Sequence, residues 1–188
     1  DVRVEPDLGD ASTDDTDLVI PGPEAALGAG VADECARRGI PCFGPTADLA
    51  RLESSKSFAR ELATSLGIPG PVFGHFTDAD EAIAWWNNLA RPVVVKLDGL
   101  AAGKGVTVPA SDAETLTAIA AAASIGPFVL EERLSGPECS LLALCDGSRA
   151  VALPIAQDHK RIGEGDTGAN TGGMGAYAPA PIPYSADA

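Results

Sequence analysis

Val93-Val94-Val95-Lys96-Leu97-Asp98-Gly99-Leu100-Ala101-Ala102-Gly103-Lys104-Gly105-Val106-Thr107-Val108 carries the strongest local signal in this chain of 188 residues. An apolar run with one lysine, a turn of small residues and a second run of valine and threonine spell strand, glycine loop, strand. A Walker loop needs four residues between its glycine and Gly-Lys, then Ser or Thr, then a helix. Here three residues separate Gly99 from Gly103-Lys104, Gly105 follows, and a strand comes next. The segment is therefore a hairpin whose small residues let backbone N–H groups approach an anion closely, with Lys96 as a point charge on the strand. A glycine-rich turn that binds nothing remains open on these residues alone.

Working outward, short β-rich runs alternate with helical stretches and no repeat is evident, which predicts an α/β or α+β architecture. Leu18 to Ile20 reads as a strand, Glu24 to Arg38 as a helix stopped by Gly39, and Ile40 to Phe43 as a returning strand, a β-α-β unit. A helix capped at Ser54-Ser55 runs to Gly67, and Ile68-Pro69-Gly70-Pro71 marks a boundary. Beyond it come a strand near Val72 to Phe76, a helix from Asp78 to Leu89 and the hairpin. A helix opened by the capping box Ser111-Asp112-Ala113-Glu114 follows, then a strand from Phe128 to Glu131. Trp85 and Trp86 lie about 100° apart on their helix, so one is expected inward and one at a margin. Strands at Ser140 to Leu144 and Arg149 to Ile155 flank Asp146-Gly147, and Gly163 to Gly175 reads as a long ordered loop.

Composition limits the partners. Lys and Arg number 13 against 27 Asp and Glu, a net charge of −14, so the chain lacks the positive field of a nucleic-acid-coating surface. No apolar run approaches the length of a membrane span. Cys35, Cys42, Cys139 and Cys145 form no C-x-x-C pair, and no signal-peptide pattern is present; they read as small core residues. Half of the net charge falls within residues 1 to 24, where a Gly/Asp-rich entry runs straight into an apolar strand; this reads as a chain opened in mid-domain. The four lysines are Lys56, Lys96, Lys104 and Lys160, and three of them sit in or beside glycine-rich segments. In so acidic a protein a polyphosphate needs such local cations, and charge repulsion calls for Mg²⁺ beside them.

Two further segments carry chemistry. Period-2 alternation sends Glu131 and Glu132 to opposite faces of a buried strand, whose end exposes backbone groups that can pair with an adenine edge; Glu138 can accept from ribose hydroxyls. A charged strand end followed by a turn fits the same residues. In Gln157-Asp158-His159-Lys160-Arg161 and the following Asn170-Thr171-Gly172-Gly173-Met174-Gly175-Ala176-Tyr177, charged side chains could order an anionic substrate while glycine N–H groups close around it.

Together these segments resemble the phosphoribosylamine-glycine ligase (glycinamide ribonucleotide synthetase) family of the ATP-grasp superfamily, through nearly the whole chain. The marks are Pro21-Gly22-Pro23-Glu24-Ala25, Phe43-Gly44-Pro45, Ser55-Lys56-Ser57-Phe58-Ala59, the Lys96 to Gly105 hairpin, Glu131-Glu132-Arg133-Leu134 with Glu138, and the Gln157 to Tyr177 stretch. Departures are Ala26 for the family's usual Pro, Leu97 for Ala, Glu164 for Asp, Ala169 for Pro and Ala178 for Ser.

The resemblance implies an incomplete ATP-grasp fold preceded by the end of a Rossmann-like N-terminal domain. Residues 1–50 would close that domain, 51–69 connect, 70–130 form the small ATP-grasp lobe and 131–188 begin the large lobe. It implies ATP-dependent ligation of glycine to 5-phosphoribosylamine in purine biosynthesis, in the cytoplasm, by a monomer that binds small molecules and neither nucleic acid nor membrane. By matched position, Lys56 and Lys96 hold ATP phosphates and the hairpin, Gly99, Gly103, Lys104 and Gly105 included, covers them. Glu131 and Leu134 meet adenine through their backbone, and Glu138 meets ribose. Asp158 and Lys160 face the reacting groups with Asn170, Thr171, Gly172, Gly173, Met174 and Gly175, and Glu24 serves the phosphoribosylamine side. The ligands of Mg²⁺, or Mn²⁺, would lie downstream of Ala188, so the 188 residues alone are expected to be inactive. Another ATP-grasp ligase or carboxylase, or a nucleotide-binding module without catalysis, are the alternatives.

Overall fold

The computed structural model describes residues 16–99, 105–165 and 167–181, with the side chain of Asn170 left aside. They fall into two compact units that part after Arg133.

The first unit opens with a parallel bridge between Val19 and Cys42, closed by Val19 N–H to the Pro41 carbonyl and Phe43 N–H to the Val19 carbonyl, both 2.9 Å. Helices lie between the two segments, as the β-α-β reading requires, but each predicted strand shrinks to a bridge. The single predicted helix is in fact two, α1 (Glu24–Gly28) and α2 (Val31–Arg38). Gly30 adopts φ 89°, a left-handed conformation that breaks the helical ladder and that glycine takes without steric cost. Gly39 ends α2 as predicted, also left-handed, with its N–H on the Ala36 and Cys35 carbonyls. A helix that the sequence reading passed over, α3 (Ala47–Ser54), is anchored by the Ala47 N–H to the Asp33 carboxylate at 2.8 Å. Then α4 (Lys56–Ser65) starts at Ser55, whose hydroxyl accepts from Phe58 N–H.

Next come β1 (Phe73–Phe76), α5 (Ala79–Leu89), β2 (Val93–Leu97), β3 (Val106–Thr107), α6 (Asp112–Ile125) and β4 (Phe128–Glu132), close to their predicted bounds. Caps explain the helix starts. The Asp78 carboxylate accepts from Asp80 and Glu81 N–H, and the Ser111 hydroxyl accepts from Glu114 N–H. The Glu114 carboxylate reaches back to Ala110 N–H, one residue before the expected partner of a capping box.

The strands form an antiparallel sheet in the order β1-β4-β2-β3. Phe128 and Leu130 of the central β4, with Val95 of β2, point to the face covered by Ala82 of α5 and by Ala118, Ile119 and Ala122 of α6. Trp85 packs there against Phe76, ring centroids 5.7 Å apart, while Trp86 sends its indole N–H to the Arg91 carbonyl at the margin. Because side chains alternate, the intervening residues line the opposite face: Lys96 beside Val129 and His75, and Val94 beside Glu131 and Phe73. One face of the sheet is core; the other, the polar face, carries Lys96, His75 and Glu131 among Phe73, Val94 and Val129.

The second unit begins at Leu134. A bridge between Ser140 and Ala156 leads into the hairpin β5 (Ala143–Cys145) and β6 (Ala150–Ala152). Its turn is held by the Asp146 carboxylate, which accepts from Ser148 N–H, Arg149 N–H and the Ser148 hydroxyl. The glycine-rich stretch Gly163 to Gly175 is strand in part, at Gly163 and Thr167–Asn170, and carries no strand from 171 to 175, as the loop reading expects. β7 (Gln157–Asp158) pairs with β10 (Ala176–Tyr177), and β8 (Arg161–Gly163) pairs with β9 (Thr167–Asn170). Glycine density hides these strands because the pairing relies on backbone hydrogen bonds, a left-handed turn residue at Gly165 and a left-handed Gly168 within β9, not on apolar alternation.

The cysteine expectation needs a similar correction. Cys35 is fully buried and Cys42 half-buried, but Cys139 and Cys145 are exposed. Cys145 lies in a two-stranded hairpin whose residues are exposed throughout, so it has no apolar layer to enter.

Candidate functional site

Of the predicted cations of the first unit, Lys96 stands on the polar face of the four-stranded sheet and Lys56 opens α4. Lys96 lies opposite Val129, two residues along β4 from Glu131 and on the same face, so the lysine reaches Glu131 diagonally: Nζ to Oε2 is 2.7 Å. Arg60 of α4 engages the same carboxylate with both arms of its guanidinium, Nε to Oε1 at 2.9 Å and Nη2 to Oε2 at 3.1 Å. The Glu131 side chain is only 5% exposed, against 23% for Lys96 and 33% for Arg60, so the cations form its open rim. Burial by itself would raise the Glu131 pKa. The hydrogen bonds and charges of Arg60 and Lys96 outweigh that and hold the carboxyl below its ordinary value.

A second knot ties the root of the hairpin to α4. Asp98 follows β2 directly, and its carboxylate accepts from Lys56 N–H at 2.6 Å, from the Ser57 hydroxyl at 2.5 Å and from Ser57 N–H at 3.4 Å. An anion at the start of a helix satisfies amides that lack intrahelical partners. His75 stands 3.6 Å away. Burial opposes ionisation of Asp98, but these donors and His75 prevail, and its pKa lies below the ordinary carboxylate value. Lys56 Nζ donates to the Gly99 carbonyl at 2.8 Å. Across the hairpin, Leu97 N–H donates to the Gly105 carbonyl at 2.7 Å, which closes the base of the loop.

Because both folded-state pKa values are lowered, each carboxylate contributes stability that is full above its unfolded pKa and lost as pH falls through the folded one. The sheet unit is therefore expected to lose stability on acidification below about pH 4 to 5, from the ordinary carboxylate values. Glu131→Gln should flatten that limb of a melting-temperature profile against pH. Parallel wild-type and variant profiles would contradict this.

The structure thus brings together Lys56, Lys96, Gly99, Gly105 and Glu131. Gly103 and Lys104 lie outside the described residues. Glu24 is the exposed first residue of α1. Leu134 and Glu138 are exposed and belong to the second unit. In that unit Asp158 and Lys160 do meet the predicted glycine-rich partners. Lys160 Nζ is 3.5 Å from the Asp158 carboxylate, and the Lys160 carbonyl accepts from Thr171 N–H at 2.6 Å and from its hydroxyl at 2.9 Å. Met174 N–H donates to the His159 carbonyl, and His159 N–H to the Gly175 carbonyl. Asn170 opposes Arg161, while Gly172 and Gly173 form the exposed turn between these contacts.

Sequence reasoning missed Arg60 and Asp98. A signal existed for Arg60: it stands four residues after Lys56, on the same face of α4. An open cleft of about 440 Å³ runs beside it, lined by Thr64, Pro71 and Phe73 among others, and holds none of the predicted site residues. Among the described residues no group of three or more His, Cys, Asp or Glu side chains is placed to hold a metal ion. No helix among them is long and apolar enough to cross a membrane.

A family model described as the phosphoribosylglycinamide synthetase ATP-grasp (A) domain matches residues 54–187, and that for the N domain of the same enzyme matches residues 7–53. The chain belongs to the phosphoribosylglycinamide synthetase family. Its four-stranded sheet is accordingly part of an ATP-grasp fold preceded by the N domain of phosphoribosylglycinamide synthetases. The phosphoribosylamine–glycine ligase of Brucella melitensis is 50% identical over 172 residues, covering 88% of this chain and 40% of the relative. That of Synechocystis sp. is 51% identical over 172 residues, covering 90% and 41%. Among solved structures, the Thermotoga maritima phosphoribosylamine–glycine ligase superposes with a TM-score of 0.73 at 34% identity, covering 92% of this chain and 44% of that one. The chain spans about 40% of the length of the curated relatives it matches. The D-alanine–D-alanine ligase of Bacillus anthracis complexed with ATP, at 22% identity and a TM-score of 0.58, is similar in fold alone.

Proposed function

We propose that these residues serve the ATP-dependent ligation of glycine to 5-phosphoribosylamine, giving glycinamide ribonucleotide, ADP and phosphate. ATP phosphorylates the glycine carboxylate. The amine of phosphoribosylamine then attacks the acyl carbon, phosphate departs and the amine loses a proton. The detour is chemically required, because a carboxylate oxygen is a poor leaving group and phosphate a good one. Protein catalysis of such a transfer rests on positioning and charge neutralisation.

The observation that carries this reading is the Lys96–Glu131–Arg60 cluster on the face of the sheet away from the core, Lys96 standing on the strand that leads into the glycine hairpin, in a chain matched to the A domain of this family. In this reading Lys96 and Lys56 face ATP phosphates beneath a flap of Gly99, Gly103, Lys104 and Gly105. The backbone of Glu131 and Leu134 meets adenine, and Glu138 meets ribose. Asp158 and Lys160, with Asn170 to Gly175, face the substrates, and Glu24 the phosphoribosylamine side. Residues 70–130 serve as the small lobe, 131–188 as the start of the large one, and the N domain as their neighbour. The setting is purine biosynthesis in the cytoplasm, by a monomer whose other ligands are small molecules, with Mg²⁺ ligated elsewhere.

The test is a chimera in which this chain replaces the matched stretch of the Brucella melitensis relative. ADP release that depends on glycine and phosphoribosylamine, with glycinamide ribonucleotide as product, is the expected result. ATP turnover independent of glycine would overturn the proposal. The 188 residues alone are expected to bind ATP without ligating.

A further inference from the structure

Glu131 is one carboxylate shared by two cations. Its oxygens are 2.9 and 3.1 Å from two guanidinium nitrogens of Arg60 and 2.7 Å from Lys96 Nζ, and its side chain is almost wholly buried. A planar guanidinium grips a carboxylate through two parallel hydrogen bonds, whereas an ammonium acts as a point charge. The geometry divides labour accordingly: Arg60 takes both oxygens and Lys96 one. The trio carries a net charge of one positive unit. Lys96 is more exposed than the carboxylate it pairs with, 23% against 5%.

We propose that Arg60 is a positioning residue for phosphate binding: by neutralising Glu131 it leaves the charge of Lys96 uncommitted for an incoming phosphate. Without Arg60, the buried carboxylate and Lys96 form a closed pair of zero net charge, and a phosphate must compete with Glu131 for the ammonium. The inference deepens the nucleotide reading above and rests on Lys96 facing phosphate. Neither the glycine hairpin nor the spacing of the lysines points to it. It depends on α4 lying against the polar face of the sheet, which brings Arg60 to a residue 71 positions away.

A double-variant series on the 188-residue chain tests it, with ATP and adenosine as probes and affinity read by titration calorimetry. Arg60→Met should weaken ATP at least tenfold and leave adenosine, which has no phosphate, within about twofold. Arg60→Lys should stay within about threefold of wild type for ATP. Arg60→Met combined with Glu131→Gln restores one uncommitted positive charge and should return ATP affinity to within about threefold of wild type. This double variant also covers the case in which Arg60→Met alone fails to fold, because it leaves no buried unpaired carboxylate. An unchanged ATP affinity in Arg60→Met, an equal loss of adenosine, or a folded double variant that fails to recover ATP binding would each overturn the proposal. Lys96→Met separates the two claims: if that variant binds ATP normally the nucleotide reading itself falls, and if it alone loses ATP only the role of Arg60 does.

Discussion

Replacing Lys96 by methionine is expected to weaken ATP binding by roughly tenfold to a hundredfold while the sheet unit stays folded. Lys96 is part of the open rim of a buried carboxylate, and a charge-assisted hydrogen bond to phosphate contributes about 1.5–3 kcal/mol. The fold tolerates the change for a structural reason. Glu131 keeps both contacts to Arg60, so no buried charge is orphaned, and methionine replaces the aliphatic stem of the lysine. Calorimetric titration with ATP, paired with a thermal melt, reads both halves of the expectation. Normal ATP affinity in a folded variant would remove the hairpin from the nucleotide site. Collapse of the melt would mean that Lys96 is a packing residue first.

The largest expected effect on stability comes from Phe128→Ala. Phe128 is fully buried in β4, the strand flanked by both β1 and β2, with its ring 5.9 Å from that of Phe76. Emptying such a site costs about 3–5 kcal/mol, because the lost burial is joined by a cavity that the surroundings refill only in part. Domains of this size hold about 5–15 kcal/mol in total, so the variant sits near the edge of folding. Trp85 and Trp86, the two tryptophans of the chain, both lie in α5 against this sheet, so their fluorescence follows the transition in urea. A midpoint shifted by less than the equivalent of about 1 kcal/mol would show that the core does not depend on this ring.

Acid sensitivity and nucleotide binding meet at the same residue. Glu131 is held ionised by Arg60 and Lys96 against the cost of burial, so protonating it removes the partner of both cations. The flat acid limb expected for Glu131→Gln and the rescue expected of Arg60→Met by the same substitution therefore probe one carboxylate by independent routes.

The elements legible in the sequence share a physical cause. β2, β4, α5 and α6 were readable because local composition and periodicity match their tertiary role: a run of valines, a buried Phe-Val-Leu, an Asp cap and a Ser cap. The split between α1 and α2 was not readable, since a glycine within a helical pattern tolerates either outcome until the chain direction requires φ 89° at Gly30. The strands of the glycine-rich stretch were hidden for the complementary reason. Backbone pairing such as Arg161 opposite Asn170 and Gly163 opposite Thr167 leaves no mark on side-chain alternation.

By itself the sequence determined that a lysine-bearing strand enters a glycine hairpin, that Glu131 and Glu132 part to opposite faces, and that a family pattern runs through nearly the whole chain. These follow from near neighbours, whose geometry is set by bond angles and the pleat. Only the tertiary structure decided which of the charges meet. The antiparallel register of β2 against β4 puts Lys96 on the Glu131 side, the packing of α4 brings Arg60 to the same carboxylate, and Asp98 binds the hairpin root to the start of that helix. Such contacts join residues 35 to 71 positions apart, where Coulomb attraction and hydrogen bonding act only once folding has closed the distance.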